Sequence, residues 1–202
     1  MSEWREAVWA AVPEGAVPDR FAERRDWLVS FVSAGDRVLD LGCGDGSFAA
    51  ALTGAGAQVT MADVAEGALS RAQAAAPDAE AVLLGEDAPL PFGDDAFGLA
   101  WCGETLEHVA DVTGLAAELR RVTRPGGTLL VTTPNQPRLV VALEALRGRV
   151  LEERFDPRAD HLRFFTARTL GSLLRGAGFA DVSVQAWDGP PGFRGRLRAV
   201  AR

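Results

Sequence analysis

The 202-residue chain is long enough for one domain with a substantial hydrophobic core. Its 48% hydrophobic and 24% charged residues are typical of a globular protein, and its net charge of −7 argues against long nucleic acids as partners. No stretch approaches the length of a membrane span, and the acidic N-terminus does not look like a secretory signal. We therefore expect a cytoplasmic protein that does not bind a membrane.

The residue usage is strongly biased. All 21 basic residues are arginine, and lysine, isoleucine and tyrosine do not occur, which is typical of a GC-rich bacterial genome. The two cysteines, Cys43 and Cys102, have no CxxC partner and are expected to be reduced.

The first 33 residues carry two amphipathic helical patterns, which Pro13 and Pro18 separate. From residue 36 onward, strand and helix patterns alternate to the end of the chain. The strand-like runs are 38–41, 59–62, 81–84, 99–102, 128–132, 182–186 and 197–201. The helical patterns are 47–55, 65–76, 105–109, 112–122, 139–146 and 167–176. Repeated βα units predict an α/β fold with a parallel sheet between layers of helices. The loop 188–192 is too short for a parallel crossover, so the last strand should be antiparallel.

The end of the first strand carries the most informative motif. Val38, Leu39 and Leu41 form a buried-strand run that stops at the turn Gly42-Cys43-Gly44-Asp45-Gly46, just before a helix. Glycines allow a tight turn and a close approach of a nucleotide-like ligand. The dinucleotide fingerprint would need another glycine where Ser47 stands, and the acid Asp40 suits a ligand with a cationic end. A nicotinamide-binding domain remains the alternative.

A second group of polar residues follows the fourth strand. Glu104, Glu107 and His108 are spaced i, i+3 and i+4, which predicts that they share one face of a helix. The only other histidine, His161, lies after the fifth strand. The spacing makes Glu104, Glu107 and His108 candidates for one polar pocket.

The glycine motif 40–46 and the later segments resemble the class I S-adenosylmethionine (SAM)-dependent methyltransferases, over roughly residues 36–202. The resemblance implies a Rossmann-like, doubly wound seven-stranded sheet of order 3-2-1-4-5-7-6 with only the last strand antiparallel. It also implies a single methyltransferase domain over residues 1–202, with a helical cap at 1–33, a core at 36–202 and a lid-like insertion at 136–162. The turn Arg124-Pro125-Gly126-Gly127 before the fifth strand is also similar to the family's.

The same resemblance implies how SAM, or its product S-adenosylhomocysteine, is held. The family places an acid like Asp63 on the ribose, a loop like 86–88 on the adenine, and backbone like that of Gly103 on the methionine part. The implied cofactor-binding residues are Asp40, Gly42, Cys43, Gly44, Asp63, Val64, Glu86, Asp87, Ala88 and Gly103. A helix cap is an alternative role for Asp63, and a solvated acidic turn for residues 86–88.

The histidines and glutamates admit two interpretations. Glu104, His108 and His161 are candidate catalytic groups that accept a proton. Glu-x-x-Glu-His with a distant histidine also resembles the metal site of small-RNA 3′-terminal ribose methyltransferases, with Glu104, Glu107, His108 and His161 as candidate ligands of a divalent ion. We favour the metal-free interpretation, because Glu-His after this strand is widespread in methyltransferases that hold no metal.

The predicted function is methyl transfer from SAM to a small-molecule acceptor, with an oxygen nucleophile slightly favoured. The alternatives are a metal-dependent RNA ribose methyltransferase and a non-catalytic SAM-binding protein. Substrate choice is expected to lie with residues 1–33 and 136–162, which match no acceptor motif. The sequence does not indicate the acceptor or the oligomeric state.

Overall fold

The computed structural model describes residues 2–13, 15–85, 89–148, 152, 156 and 160–202. The strands are β1 Arg37–Leu41, β2 Gln58–Asp63, β3 Glu80–Leu83, β4 Phe97–Gly103, β5 Thr123–Pro134, β6 Val182–Trp187 and β7 Arg196–Ala201. The helices are α1 Ser2–Ala11, α2 Phe21–Val29, α3 Ser47–Gly54, α4 Glu66–Ala75, α5 Val112–Val122, α6 Arg138–Leu146 and α7 Ala167–Gly176, with a 3-10 helix at Leu106–His108.

The seven strands form one sheet of order β3-β2-β1-β4-β5-β7-β6. All neighbouring pairs are parallel except those of β7, which is antiparallel to both β5 and β6. The predicted strand order and the antiparallel last strand are therefore confirmed. The short connection between β6 and β7 allows only this direction.

Successive side chains of a strand point to opposite sides, so the buried strands give the sheet two apolar faces. Helices cover each face. Leu39 and Leu41 belong to the core on one face, which includes residues of α5 and α7. Val38 belongs to the core on the other face, with residues of α2, α3 and α4. Asp40 shares the face of Val38 and therefore lies beneath α2 and α3.

Local chain signals explain several boundaries. Thr166 caps α7 in a capping box with Thr169, as a threonine before a helix predicts. The predicted turn 124–127 is a bulge inside β5, since Phe97 pairs with Thr123 and Leu99 already pairs with Thr128. Among the described residues, no helix combines the length and the apolar character needed to cross a bilayer.

Candidate functional site

The glycine turn joins β1 to α3 and is held by backbone hydrogen bonds. The amides of Gly42 and Cys43 both donate to the carbonyl oxygen of Ala62, at 2.8 and 3.3 Å. Gly44 has a φ of 56°, in the left-handed region that glycine adopts without strain. Its amide donates to Asp63 Oδ2 at 3.1 Å, and Asp63 Oδ1 accepts from the amide of Ala65 at 3.1 Å. Asp63 thus ties the turn to the start of α4.

Two side chains pack against this turn so closely that they leave no room for a Cβ at Gly42 or Gly44. A Cβ added to Gly44 would lie 2.7 Å from the ring of Trp9 in α1. A Cβ added to Gly42 would lie 2.4 Å from Thr105 Oγ1, in the loop after β4. The buried Cys43 thiol, between the two glycines, has a pKa raised by burial and is therefore protonated.

Asp40, the second-last residue of β1, has a buried carboxyl group. Its side chain is 1% exposed, and its Oδ2 has no hydrogen-bond partner in the described part of the chain. Burial raises the pKa of Asp40 to about 7, and the nearby carboxylate of Asp63 adds to the rise. A cationic group beside Asp40 would favour its ionised form and could also hydrogen-bond to Oδ2.

Arg24 is a functional candidate that the sequence analysis missed. It lies on α2, is 3% exposed, and stacks its guanidinium over the rings of Phe48 and Trp101 at 4.7 and 5.7 Å. Its Nη1 donates to the carbonyl oxygen of Asp19 at 3.2 Å, and burial lowers its pKa. The signal was present in the sequence, because residue 24 falls on the helical face that also carries Leu28 of the core.

The second half of the site follows β4. The 3-10 helix buries the Glu107 side chain, which is 1% exposed and accepts a hydrogen bond from Thr133 Oγ1 at 2.9 Å. The carbonyl oxygen of Glu107 accepts from the amides of Leu162 and Arg163, at 2.7 and 3.0 Å. These two bonds bring the segment around residue 161 to the end of β4.

His108 and His161 meet there, with ring centroids 4.9 Å apart. One ligand-type atom from each of Glu107, His108 and His161 lies within 4.8 Å of the others. Burial raises the pKa of Glu107 to about 8, and the nearby Glu104 adds to the rise. The structure therefore brings together three of the four predicted polar groups.

Asp160 is a second residue that the sequence analysis missed. Its carbonyl oxygen lies 2.9 Å from His108 Nδ1. Its carboxylate oxygens lie 3.8 Å from His108 Nδ1 and 3.9 Å from His161 Nε2. Asp160 thus lies beside both imidazoles. In the sequence, the only sign of this is that Asp160 directly precedes His161.

The predicted helix face that joined Glu104 to Glu107 and His108 is wrong. Glu104 has a φ of 56° and lies before the 3-10 helix, so the i, i+3, i+4 geometry does not apply. Its carboxylate Oε2 accepts from Arg196 Nη1 at 2.7 Å, and Arg196 also pairs with Asp19. Glu104 is close enough to affect the pKa of Glu107, but it is not part of the three-residue group.

The remaining predicted positions divide into two sets. Gly103 ends β4, and Val64 follows Asp63 directly, at the same edge of the sheet as the glycine turn. Glu86, Asp87 and Ala88, the predicted adenine loop, lie outside the described residues. Parts of the predicted insertion 136–162 also lie outside them.

The described part of that insertion is apolar and exposed. Helix α6 has no buried residue, and Leu139, Leu143 and Leu146 are 47%, 38% and 85% exposed. Leu162 and Phe193 are also exposed, on segments that hydrogen-bond to the end of β5 or to Glu107. The exposed leucines of α6 begin just after the carboxyl end of β5, and Leu162 directly follows His161 in the chain.

Comparisons with known proteins identify the family of the chain. A family model described as a methyltransferase domain matches residues 4–184. Demethylmenaquinone methyltransferase of Clavibacter sepedonicus is 32% identical over 171 residues, which are 74% of this chain and 67% of that protein. Ubiquinone biosynthesis O-methyltransferase of Stutzerimonas stutzeri is 30% identical over 164 residues, 78% of this chain and 70% of that protein. The chain thus spans about two thirds of the length of these relatives.

Solved structures agree on the fold. A SAM-dependent methyltransferase from Mesorhizobium loti superposes with a TM-score of 0.69 over 94% of this chain and 99% of that one. The two sequences are 22% identical, so this likeness speaks for the fold alone.

Proposed function

The chain belongs to the class I SAM-dependent methyltransferases, and we propose that it transfers the methyl group of SAM to an oxygen atom of a small-molecule acceptor. The observation that carries the choice of oxygen is the histidine pair beside Asp160, at the end of β4. A hydroxyl acceptor must lose a proton during methylation, and imidazole is well suited to take it near neutral pH.

The residues present fit the cofactor. Gly42 and Gly44 have φ angles of 70° and 56°, a left-handed backbone that glycine adopts without strain and that forms the tight turn expected over a nucleoside. Asp63 stands at the end of β2, where a carboxylate reaches ribose hydroxyls in this type of fold. Asp40 Oδ2 near the end of β1 and Arg24 Nε beside the end of β4 have no hydrogen-bond partner among the described residues, so both are available to a polar ligand. The assignments of Asp63, Val64 and residues 86–88 to the nucleoside remain part of this proposal.

The bound cofactor supplies a methyl group that its sulfonium makes electrophilic. The chain has to hold the acceptor oxygen in line with that methyl group, exclude water and receive the hydroxyl proton. His108 is the proposed proton acceptor. An imidazole that donates from Nδ1 to the carbonyl oxygen of Asp160 carries its lone pair on Nε2, and the proton would arrive at that atom.

Asp160 and His161 support this step. Once His108 is protonated, the Asp160 carboxylate at 3.8 Å stabilises its charge. His161 lies next to His108 and is the more exposed of the two, which suits a group that orients the acceptor hydroxyl.

The apolar surface of α6, Leu162 and Phe193 supports an acceptor with an apolar part. Two relatives are named for methylation of demethylmenaquinone and for O-methylation in ubiquinone biosynthesis, and this chain is proposed to accept a hydroxyl of an alkyl-substituted phenol or hydroquinone. The net charge of −7 speaks against RNA as the acceptor.

The direct test is product detection by mass spectrometry with SAM carrying a deuterated methyl group. The acceptors are alkyl-substituted catechols and hydroquinones, matched thiophenols and anilines, and a short RNA. The proposal expects labelled ether products from the hydroxyl compounds. Products labelled on carbon, sulfur or nitrogen, or labelled RNA, in place of ethers would contradict it, and so would the absence of any product while SAM binds.

A second candidate uses a divalent metal at the same site. The close approach of ligand-type atoms from Glu107, His108 and His161 is the observation that favours it. Carboxylate and imidazole ligands suit several divalent ions, and Thr133 and the Asp160 carbonyl would orient the ligands. In this version a chelator abolishes turnover and a divalent ion restores it. In the metal-free version, which we favour, the chelator changes nothing.

A further inference from the structure

Three polar side-chain atoms near the carboxyl end of β4 and β5 are buried and have no hydrogen-bond partner among the described residues. They are Oε1 of Glu104, Nε of Arg196 and Nε1 of Trp187. Buried polar groups in folded proteins are nearly always hydrogen-bonded, because leaving one unpaired costs free energy. The proton transfer proposed for His108 uses none of these three atoms.

The three side chains are neighbours. Trp187 ends β6, Arg196 begins β7, and the two residues lie opposite each other in the antiparallel pair. Residues opposite each other in such a pair share one face of the sheet. Arg196 Nη1 donates to Glu104 Oε2 at 2.7 Å, which joins the residue after β4 to this pair. Glu104, Trp187 and Arg196 therefore form one polar wall.

Ion pairs hold the polar wall in place. Arg196 also pairs with Asp19, in the loop before α2, and Arg20 pairs with Asp188 at 2.9 Å. Asp188 Oδ2 lies 3.6 Å from Arg196 Nε, which is too far for a hydrogen bond. The charges balance, because the group contains three arginines and three carboxylates: Arg20, Arg24, Arg196, Asp19, Glu104 and Asp188. A neutral ligand group would keep this balance.

The polar wall and the histidine pair come from opposite faces of the sheet. Leu197 belongs to the core beneath α5 and α7, so the adjacent Arg196 points to the other face. Val131 belongs to the same core as Leu197, and Thr133, two residues further along β5, shares its face and donates to Glu107. An acceptor at the ends of β4 and β5 would therefore have the histidines on one side and the polar wall on the other.

We propose that the polar wall binds a second, uncharged hydroxyl group of the acceptor, across the acceptor from the hydroxyl that is methylated. A hydroxyl donates one hydrogen bond and accepts two, which matches the unpartnered carboxylate oxygen of Glu104 and the two N–H donors of Arg196 and Trp187. A keto or ether oxygen cannot donate to Glu104. This proposal rests on methyl transfer to oxygen, the proposed function, and it assigns a role to two residues of β6 and β7 that the sequence analysis did not single out.

The first test compares three acceptors in the wild-type protein, with deuterated SAM and mass spectrometry. They are an alkyl-substituted hydroquinone, the matched alkylphenol that lacks one hydroxyl, and the monomethyl ether of the hydroquinone. The kcat/KM of the hydroquinone should exceed that of the other two by at least roughly 10-fold, because a site built for a hydroxyl is left with unpaired polar atoms when the hydroxyl is missing.

The outcomes separate this proposal from the proposed function. Equal kcat/KM for the three compounds would overturn the polar wall as a binding site and leave O-methylation standing. The absence of an ether product from all of them, while SAM binds, would overturn the proposed function, and the proposal would fall with it.

The second test is Trp187→Phe, which removes one N–H, keeps an aromatic ring and leaves the ion pairs intact. The ratio of kcat/KM for hydroquinone over alkylphenol should fall by roughly 3- to 10-fold, through a higher KM for the hydroquinone. This ratio does not depend on the fraction of folded enzyme, so a purely structural role of Trp187 would not change it.

Trp27→Phe is the matched control, because the Trp27 ring packs edge-on against Phe31 and Trp101 and lies outside the polar wall. It should leave the ratio unchanged. An unchanged ratio in Trp187→Phe, or an equal fall in Trp27→Phe, would overturn the proposal.

Discussion

The two halves of the site are built in different ways. The cofactor half consists of a backbone turn, buried charges on β1 and α2, and aromatic rings that hold Arg24. The acceptor half consists of partly exposed histidines on a 3-10 helix and a returning segment, tied together by hydrogen bonds to Glu107. The cofactor half is therefore fixed by the fold, whereas the acceptor half depends on segments that can vary without disturbing the sheet.

Each half contains one buried carboxyl group with a raised pKa, and these predict how stability without ligand depends on pH. Burial raises the pKa of Asp40 from 3.8 to about 7 and that of Glu107 from 4.5 to about 8. Between those values the folded protein holds protons that the unfolded chain has released. The free energy of unfolding therefore falls as pH rises from about 4 to 8, by up to roughly 4 kcal/mol for each group.

Denaturant unfolding of the wild type and of Asp40→Asn at pH 5 and pH 8 measures the cofactor half alone. The variant keeps a neutral side chain of similar shape, so its stability relative to the wild type should increase toward pH 8. Asp26→Asn, at an exposed carboxylate, is the control and should leave the pH dependence as it is. Parallel pH curves for Asp40→Asn and the wild type would contradict the assignment.

The acceptor half is tested by removing the proposed proton acceptor. His108→Ala should lower turnover by roughly 10²-fold or more, which is typical for a lost general base. S-adenosylhomocysteine affinity, measured by calorimetry, should stay within about 2-fold, because His108 lies outside the cofactor half. Full turnover in both His108→Ala and His161→Ala would mean that the pair is structural.

Asp63 tests the nucleoside end of the cofactor half. Asp63→Ala removes an acceptor for ribose hydroxyls and should weaken S-adenosylhomocysteine binding by roughly 1–3 kcal/mol. Because Asp63 also accepts from the amides of Gly44 and Ala65, thermal unfolding of the variant has to be measured in parallel. A ribose contact predicts that removing the ligand's 2′- and 3′-hydroxyls costs affinity in the wild type and little in the variant; equal costs would leave only the capping role.

The same division explains which features could be predicted from the sequence. The glycine turn, the seven strands and the antiparallel end follow from local patterns and loop lengths, so the sequence is sufficient for them. Arg24 was missed because a charged residue on a helix is usually solvated, although its spacing of four from Leu28 placed it on the buried face of α2. The spacing of Glu104 was misleading because a left-handed backbone takes that residue out of the helix.

Asp160 was missed for a related reason. Its carbonyl oxygen reaches His108 across 52 positions of sequence, and a backbone contact of this kind leaves no residue-type signal. Contacts between the end of β4 and the returning segment depend on two amide hydrogen bonds to Glu107, which any residue could donate. The histidine pair is held in place by backbone hydrogen bonds between distant segments, so the sequence does not reveal it. The glycine turn is easier to predict, because its residue types are required by its own backbone conformation.

Asp160 supplies the smallest expected effect and the finest test of the acceptor half. Asp160→Asn keeps the backbone carbonyl that meets His108 Nδ1 and replaces only the carboxylate, which is partly exposed and 3.8–3.9 Å from the two imidazoles. A carboxylate at that distance and exposure contributes about 1 kcal/mol or less, so turnover should fall by roughly 3- to 5-fold while cofactor affinity stays constant. The effect should disappear in a His108→Ala background, because the carboxylate acts through the protonated imidazole. Asp181→Asn, at an exposed carboxylate far along the chain, controls for the loss of surface charge. A fall of the same size in the His108→Ala background would show that Asp160 contacts the acceptor directly and does not act through His108.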